Sequence, residues 1–195
     1  MLNNVYAVDY NLHPPLFLLV FITLFAFLFL YFNKIKRKHY NFRKSFIIGA
    51  ILFYGLSVFK LTLLPITIVY NASIFFDIQA QHIYQLNPFE TITNSLKSGN
   101  YRQVVGNFIM LLPLPLLIGL LNRKTPRFYK FFIGTILLVI FIELSQLAQD
   151  LVTGVSNAVT DIDDFILNVL GALLGWIVIK IHFLRLGHQK RLRGK

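Results

Sequence analysis

Five apolar runs, at residues 16–32, 46–64, 104–121, 128–147 and 165–182, constrain the fold of this chain more than any other feature. The hydrocarbon core of a bilayer is about 30 Å thick, and an apolar helix of roughly 17–25 residues crosses it. In lipid every backbone N–H and C=O must be satisfied by protein, which leaves helices or a closed barrel. These runs are continuous rather than alternating, so they read as helices. Hydrophobic residues make up 56% of the chain and charged residues 14%, against about 45–50% and roughly 25% in soluble domains. The expected fold class is all-α: a polytopic transmembrane helical bundle of five spans, with the lipid bilayer as its first partner. Pro113 and Pro115 fall inside the third run, where their missing N–H groups predict a kink.

The formal net charge of +11 would suit a nucleic-acid partner if the basic residues lined a soluble face. They stand instead in short blocks beside the apolar runs, so no nucleic acid is expected. The 33–44 loop holds Lys34, Lys36, Arg37, Lys38, Arg43 and Lys44, and the 122–130 loop holds Arg123, Lys124, Arg127 and Lys130. The tail holds Lys180, Arg185, Lys190, Arg191, Arg193 and Lys195, whereas the alternate loops hold only Lys97 and Arg102. Basic residues favour the cytoplasmic side, which predicts an N-terminus outside and a C-terminus inside. The acids agree: Asp9, Asp77, Glu90, Asp150, Asp161, Asp163 and Asp164 fall outside, and Glu143 in the outer half of the fourth span. No Lys or Arg precedes the first run and no small-residue cleavage site follows it, so it reads as a retained span. Cysteine is absent, which excludes disulfides and thiolate metal sites.

Three segments follow: residues 1–45, the first span and its basic loop; 46–180, a membrane domain with an extracytoplasmic loop at 66–103; and 181–195, a basic cytoplasmic tail. Within the long loop, "NPFETITNSLKSG" predicts a short helix. Asn87 is its N-cap, Pro88 its first residue, Glu90 stands three after the cap, and Gly99 stops it. Phe89, Ile92 and Leu96 give that helix one apolar face, suited to lying at an interface.

The stretch "TDIDDFILNVLGALLGW", residues 160–176, sets three aspartates at the mouth of the fifth span. Helical spacing places Asp161, Asp164 and Asn168 on one face and points Asp163 elsewhere. Gly171 and Gly175 continue that face as a small-xxx-small pair, which invites a neighbouring helix. Asn107 lies about a turn into the third span, Glu143 in the outer part of the fourth, and Lys60 near the outer end of the second. A charge at the centre of a span costs about 2.5–3.5 kcal/mol, so Lys60 is expected to pair with Glu143 or an Asp. Plainer readings stand beside each. Asp161 would cap the fifth helix with Asp163 and Asp164 favoured by its dipole, Lys60 would reach the headgroups, and Asn107 would make one interhelical hydrogen bond. Convergence from several helices makes Asp161, Asp163, Asp164, Asn168, Glu143, Asn107, Lys60 and Glu90 the candidate polar cluster. No catalytic role or metal-ligand set is assigned, although hard carboxylate oxygens there suit a divalent cation such as Mg²⁺ or Ca²⁺.

"NPFETI", "GNFIMLLPLPLLIG", "IELSQL" and "DIDDFILNVLGALLGW", in that order, resemble the signatures of the VanZ-like membrane proteins over roughly residues 46–180. The resemblance implies a multi-pass protein of the bacterial plasma membrane, with a named member associated with resistance to teicoplanin, a lipoglycopeptide that binds cell-wall precursors. It also implies signature positions at Asn87, Pro88, Phe89, Gly106, Asn107, Glu143, Gln146, Asp161, Asp163, Asp164, Asn168, Gly171 and Gly175. The family often carries an Arg three residues before the first Asp, where this chain has Ala158.

Three functions compete. In the first, the acidic outer face and the loop helix bind or shield a lipid-linked cell-wall precursor or a lipoglycopeptide and contribute to teicoplanin-type resistance. In the second, the chain is an enzyme acting on a lipid or cell-wall intermediate through Asp and Glu acid–base or metal chemistry; no nucleophile stands beside a base in its favour. The third, an ion-coupled carrier, lacks repeat symmetry and acids in the inner half.

Overall fold

A computed structural model describes residues 6–31, 41–70, 84–154 and 156–193. The basic residues Lys34, Lys36, Arg37 and Lys38, together with Asp77 and Lys195, lie outside the described residues. The chain forms β1 (Tyr6–Tyr10), α1 (Pro14–Leu30), α2 (Phe42–Leu63), β2 (Ile66–Tyr70), β3 (Tyr84–Gln85) and α3 (Glu90–Ser98). It continues with α4 (Arg102–Met110), α5 (Pro113–Asn122), α6 (Phe128–Thr153), β4 (Thr160–Asp161) and α7 (Ile162–Arg193). The result is a polytopic, predominantly helical protein, as the apolar runs require. Four segments are long and apolar enough to cross a membrane: Phe42–Leu63, Arg102–Asn122, Phe128–Thr153 and Ile162–Gln189. Pro14–Leu30 is a shorter apolar helix. At 1.5 Å per residue its 17 residues cover roughly 26 Å.

The chain divides into two compact units: residues 1–86 with 141–161, and residues 87–140 with 162–195. In the first, α1 and α2 pack through aromatic edges. The Phe53 ring meets both Phe17 and Phe21 edge-on at 5.4 Å. A side chain at Gly49 would press on the Phe25 ring, so this glycine lets α1 approach. Two short sheets, not foreseen in an all-helical reading, join the segments around the helices. β1 pairs antiparallel with β2, Tyr10 opposite Ile66, and β3 pairs parallel with β4, Gln85 opposite Asp161. "YAVDY" and "ITIVY" are rich in aromatic and β-branched residues, which fit a pleated surface. The Thr67 N–H also donates to Asn157 Oδ1 at 2.7 Å. The residues before α1, after α2 and after α6 therefore meet at one end of this unit.

In the second unit Leu111, Phe131, Val139 and Ala172 form the buried core, with Met110, Phe165, Val169 and Trp176 packed against it. The third apolar run is interrupted at its prolines, where a kink is expected, and Leu111 and Leu112 between α4 and α5 keep right-handed helical backbone. Pro113 and Pro115 cannot donate to the Ile109 and Leu111 carbonyls. Those carbonyls instead accept the N–H groups of Leu112 and Leu114, both at 3.2 Å, and the tighter turns separate α4 from α5. The α4–α5 pair lies along α7, where a methyl group at Gly171 would overlap the Phe108 carbonyl oxygen and one at Gly175 the Leu112 carbonyl oxygen. The small-xxx-small pair thus meets backbone, as the spacing predicts. Two spans outrun their apolar stretches. α6 continues to Thr153 and α7 begins at Ile162 and runs to Arg193, because polar helical turns cost nothing once they leave the lipid.

Candidate functional site

The polar residues of the sequence reading fall into two groups, one in each unit. In the first, Glu143, Gln146 and Asp150 stand at i, i+3 and i+7 on the last turns of α6, and all three bind backbone. The Asp161 N–H donates to Glu143 Oε2 at 3.2 Å, and the Thr160 hydroxyl to the Glu143 carbonyl at 3.3 Å. Gln146 Nε2 donates to the Thr62 carbonyl of α2 at 3.0 Å. Asp150 Oδ1 accepts the N–H groups of Asn157 at 2.7 Å and Ala158 at 3.3 Å. Gly154, at φ 66°, closes α6 with its N–H on the Asp150 carbonyl, the glycine stop that a left-handed residue provides. Asp150 is thus inside the helix and buried.

Two expectations are corrected here. Asp161 does not share a helical face with Asp164 and Asn168: it belongs to β4, and α7 starts one residue later. Extended backbone reverses the direction in which the side chain leaves the chain. Lys60 does not pair with a carboxylate among the described residues; its ammonium sits over the Phe17 ring, 5.7 Å from the centroid, where the ring quadrupole offsets part of the desolvation.

In the second unit the three neighbouring elements α3, α4 and α7 position the remaining residues. Asp163, in the first turn of α7, is completely buried. Its Oδ1 accepts the Phe89 N–H at 2.6 Å and its Oδ2 the Ile92 N–H at 3.1 Å. These are donors at the start of α3, so Asp163 caps that helix from another part of the chain. The expected cap, Asn87, lies two residues too early. Phe89 takes the position before Glu90 with φ 67°, a left-handed conformation costly for a residue with a Cβ. Asn87 and Glu90 still bond each other, Nδ2 to Oε2 at 2.8 Å. Gly99 ends α3 at φ 70°.

Asp164, partly exposed, accepts Gln103 Nε2 with both carboxylate oxygens at 3.2 Å. Gln103 opens α4, and Asn107 follows one turn along the same face, partly buried. On α7 Asn168 follows Asp164 by one turn, is 1% exposed, and its Oδ1 has no hydrogen-bond partner among the described residues. Buried amide oxygens in proteins are nearly always bonded. Asp164 and Gln103 thus join α7 to α4, with Asn107 on α4 and Asn168 on α7 each one turn further along its own helix. The four combine a carboxylate, amide donors and an unpartnered acceptor, a set suited to hydrogen-bonding a polar ligand. Glu90 stays on α3, engaged with Asn87. Among the described residues no three His, Asp or Glu side chains converge as a metal-ligand set.

Sequence reading missed Gln103, Asp150 and Asn157. The first two carried a signal, namely the i, i+4 spacing of Gln103 to Asn107 and the i, i+7 spacing of Glu143 to Asp150. Asn157 carried none, because its partner Thr67 is 90 residues away.

No curated protein and no solved structure matches this chain. The family comparison does match, across residues 51–184. That range holds the C-terminal part of α2, the α3 cap, the prolines between α4 and α5, the polar face of α6 and the aspartate-headed start of α7. This multi-pass membrane protein belongs to the VanZ/LLP1 family.

Proposed function

We propose that the chain resides in the bacterial plasma membrane and crosses it five times, with its N-terminus outside. In this reading a notch of Asp164, Gln103, Asn107 and Asn168 binds the polar part of a lipid-linked cell-wall precursor or a lipoglycopeptide. Occupying that ligand would lower drug access and contribute to teicoplanin-type resistance. The charge asymmetry supports the orientation, and the meeting of β1, β2 and the α6–α7 connection at one end supports an even number of crossings between them. The observation that carries the binding reading is the buried Asn168 side-chain carbonyl, without a donor among the described residues, one turn along α7 from a carboxylate held by Gln103. Binding is favoured over acid–base catalysis because Asp163 and Glu143 accept main-chain N–H groups. These charge-assisted bonds give both carboxylates a structural task.

The test compares wild type, Asp164→Asn and Asn168→Leu at matched membrane levels in a susceptible Gram-positive host, reading surface binding of fluorescent teicoplanin. Wild type lowers binding and both variants restore it if the notch takes part. Equal binding in all three strains removes the resistance reading.

A further inference from the structure

The other end of α7 carries a different chemistry. Between Asp164 and Lys180 the helix rises roughly 24 Å, close to the thickness of a bilayer core. There α5 ends on Arg123 in the left-handed conformation, and the Lys124 N–H closes on the Gly119 carbonyl at 3.2 Å. The loop then turns into α6, leaving an open cavity of about 740 Å³ lined by Lys124, Arg127 and Lys130 above Ile118 and Phe131. Among the described residues no hydrogen bond or ion pair engages these three cationic side chains. No Asp or Glu occurs in residues 118–131 or after Asp164. Three basic groups, two from the loop and one from the first turn of α6, are therefore gathered at a cavity with no counter-charge in its lining.

The loop is fastened where it stands. Trp176 of α7 donates its indole N–H to the Pro126 carbonyl at 2.9 Å, and its ring meets Phe128 edge-on at 5.0 Å. On its other side Lys180 places its ammonium 4.9 Å from the indole centroid. Tryptophan so placed, at the end of apolar helices, marks the headgroup level of a membrane. Arg and Lys at that level are attracted to anionic lipid, and basic pockets between helices hold phosphate headgroups.

We infer that this cavity binds a phosphate-bearing anion, the headgroup of an anionic phospholipid. Lys124, Arg127 and Lys130 supply the charge, and the Trp176 shelf sets the depth. The site is separate from the Asp164 notch and is tested separately.

Trp176 is the single tryptophan of the chain, so its fluorescence reports on this site alone. The full chain is reconstituted in phosphatidylcholine bilayers containing either phosphatidylglycerol or phosphatidylcholine with brominated acyl chains, which quench a nearby indole. Each cation at the surface contributes roughly a factor of five. With three cations at the cavity, brominated phosphatidylglycerol is therefore expected to bind beside Trp176 up to about a hundredfold better than brominated phosphatidylcholine. The double variant Lys124→Ala/Arg127→Ala brings the ratio towards one, with quenching by brominated phosphatidylcholine unchanged, which shows an intact fold; Lys97→Ala leaves the ratio as in wild type. Inorganic phosphate, added to pure phosphatidylcholine bilayers, separates the sources. If it shifts Trp176 emission in wild type and not in the double variant, and the lipid ratio is one, the anion chemistry stands and the lipid source is overturned. Equal quenching by the two lipids with no phosphate response, or a lipid preference that survives the double substitution, overturns the site.

Discussion

Asp163 and Asp164 are neighbours with opposite work, and the difference lies in which way each leaves α7. Asp163 turns to the start of α3 and accepts two main-chain N–H groups; Asp164 turns to Gln103 on α4. Charge-assisted bonds to backbone are among the stronger ones, and one of these holds Phe89 in its left-handed conformation. Asp163→Ala is therefore expected to destabilise α3 by about 2–3 kcal/mol, and Asp163→Asn, which keeps one acceptor, by about half of that. Hydrogen exchange of the amides in α3 reads this directly. Unchanged exchange in the Ala variant would mean that α3 holds its own start. Asp164→Asn leaves α3 exchange as in wild type, which separates the cap from the notch.

At the scale of elements, association in lipid rests on close packing, because burial from water is not available to drive it. The α4–α5 segment reaches α7 by backbone, at Gly171 and Gly175. Gly171→Ala forces the Phe108 carbonyl aside and is expected to cost about 1–3 kcal/mol, the usual range for overpacking. The same substitution at Gly134 of α6 meets open space, and helix propensity makes it neutral or favourable by up to about 1 kcal/mol. Unfolding in mixed micelles of increasing SDS content compares the two. Equal midpoints for Gly171→Ala and wild type would show that α4 does not depend on this approach. The pair of prolines was visible in the sequence as a disturbance of the third run, but the hydrogen bonds around it were not. Its form depends on Leu112 and Leu114 finding nearer carbonyls, a choice made by local geometry.

At the scale of the molecule, orientation is the open physical quantity, and the absence of cysteine makes it easy to measure. Single cysteines introduced at Lys97 and at Thr125 sit on opposite sides in a five-span chain with its N-terminus outside. A membrane-impermeant maleimide applied to intact cells is expected to label Lys97→Cys, and to label Thr125→Cys only after the membrane is permeabilised. The reverse pattern would invert the topology and remove the outer notch from the reach of a cell-wall ligand.

What the order of residues determined by itself was the solvent of the fold. The lengths of the apolar runs require membrane helices, the placement of Lys and Arg predicts their direction, and the four motifs carry the resemblance that the family match supports. These are properties of composition within short windows, and a bilayer reads them one segment at a time. Only the tertiary structure decided what each polar group touches. Asp161 left the α7 face because β4 paired with a strand 76 residues earlier; Lys60 found an aromatic ring; Asp150 and Asn157 tied β2 to the end of α6; Asp163 became the cap of a helix elsewhere in the chain. Each of these depends on a partner distant in sequence, and helical spacing fixes only the direction in which a side chain leaves its own helix, not the group it meets there.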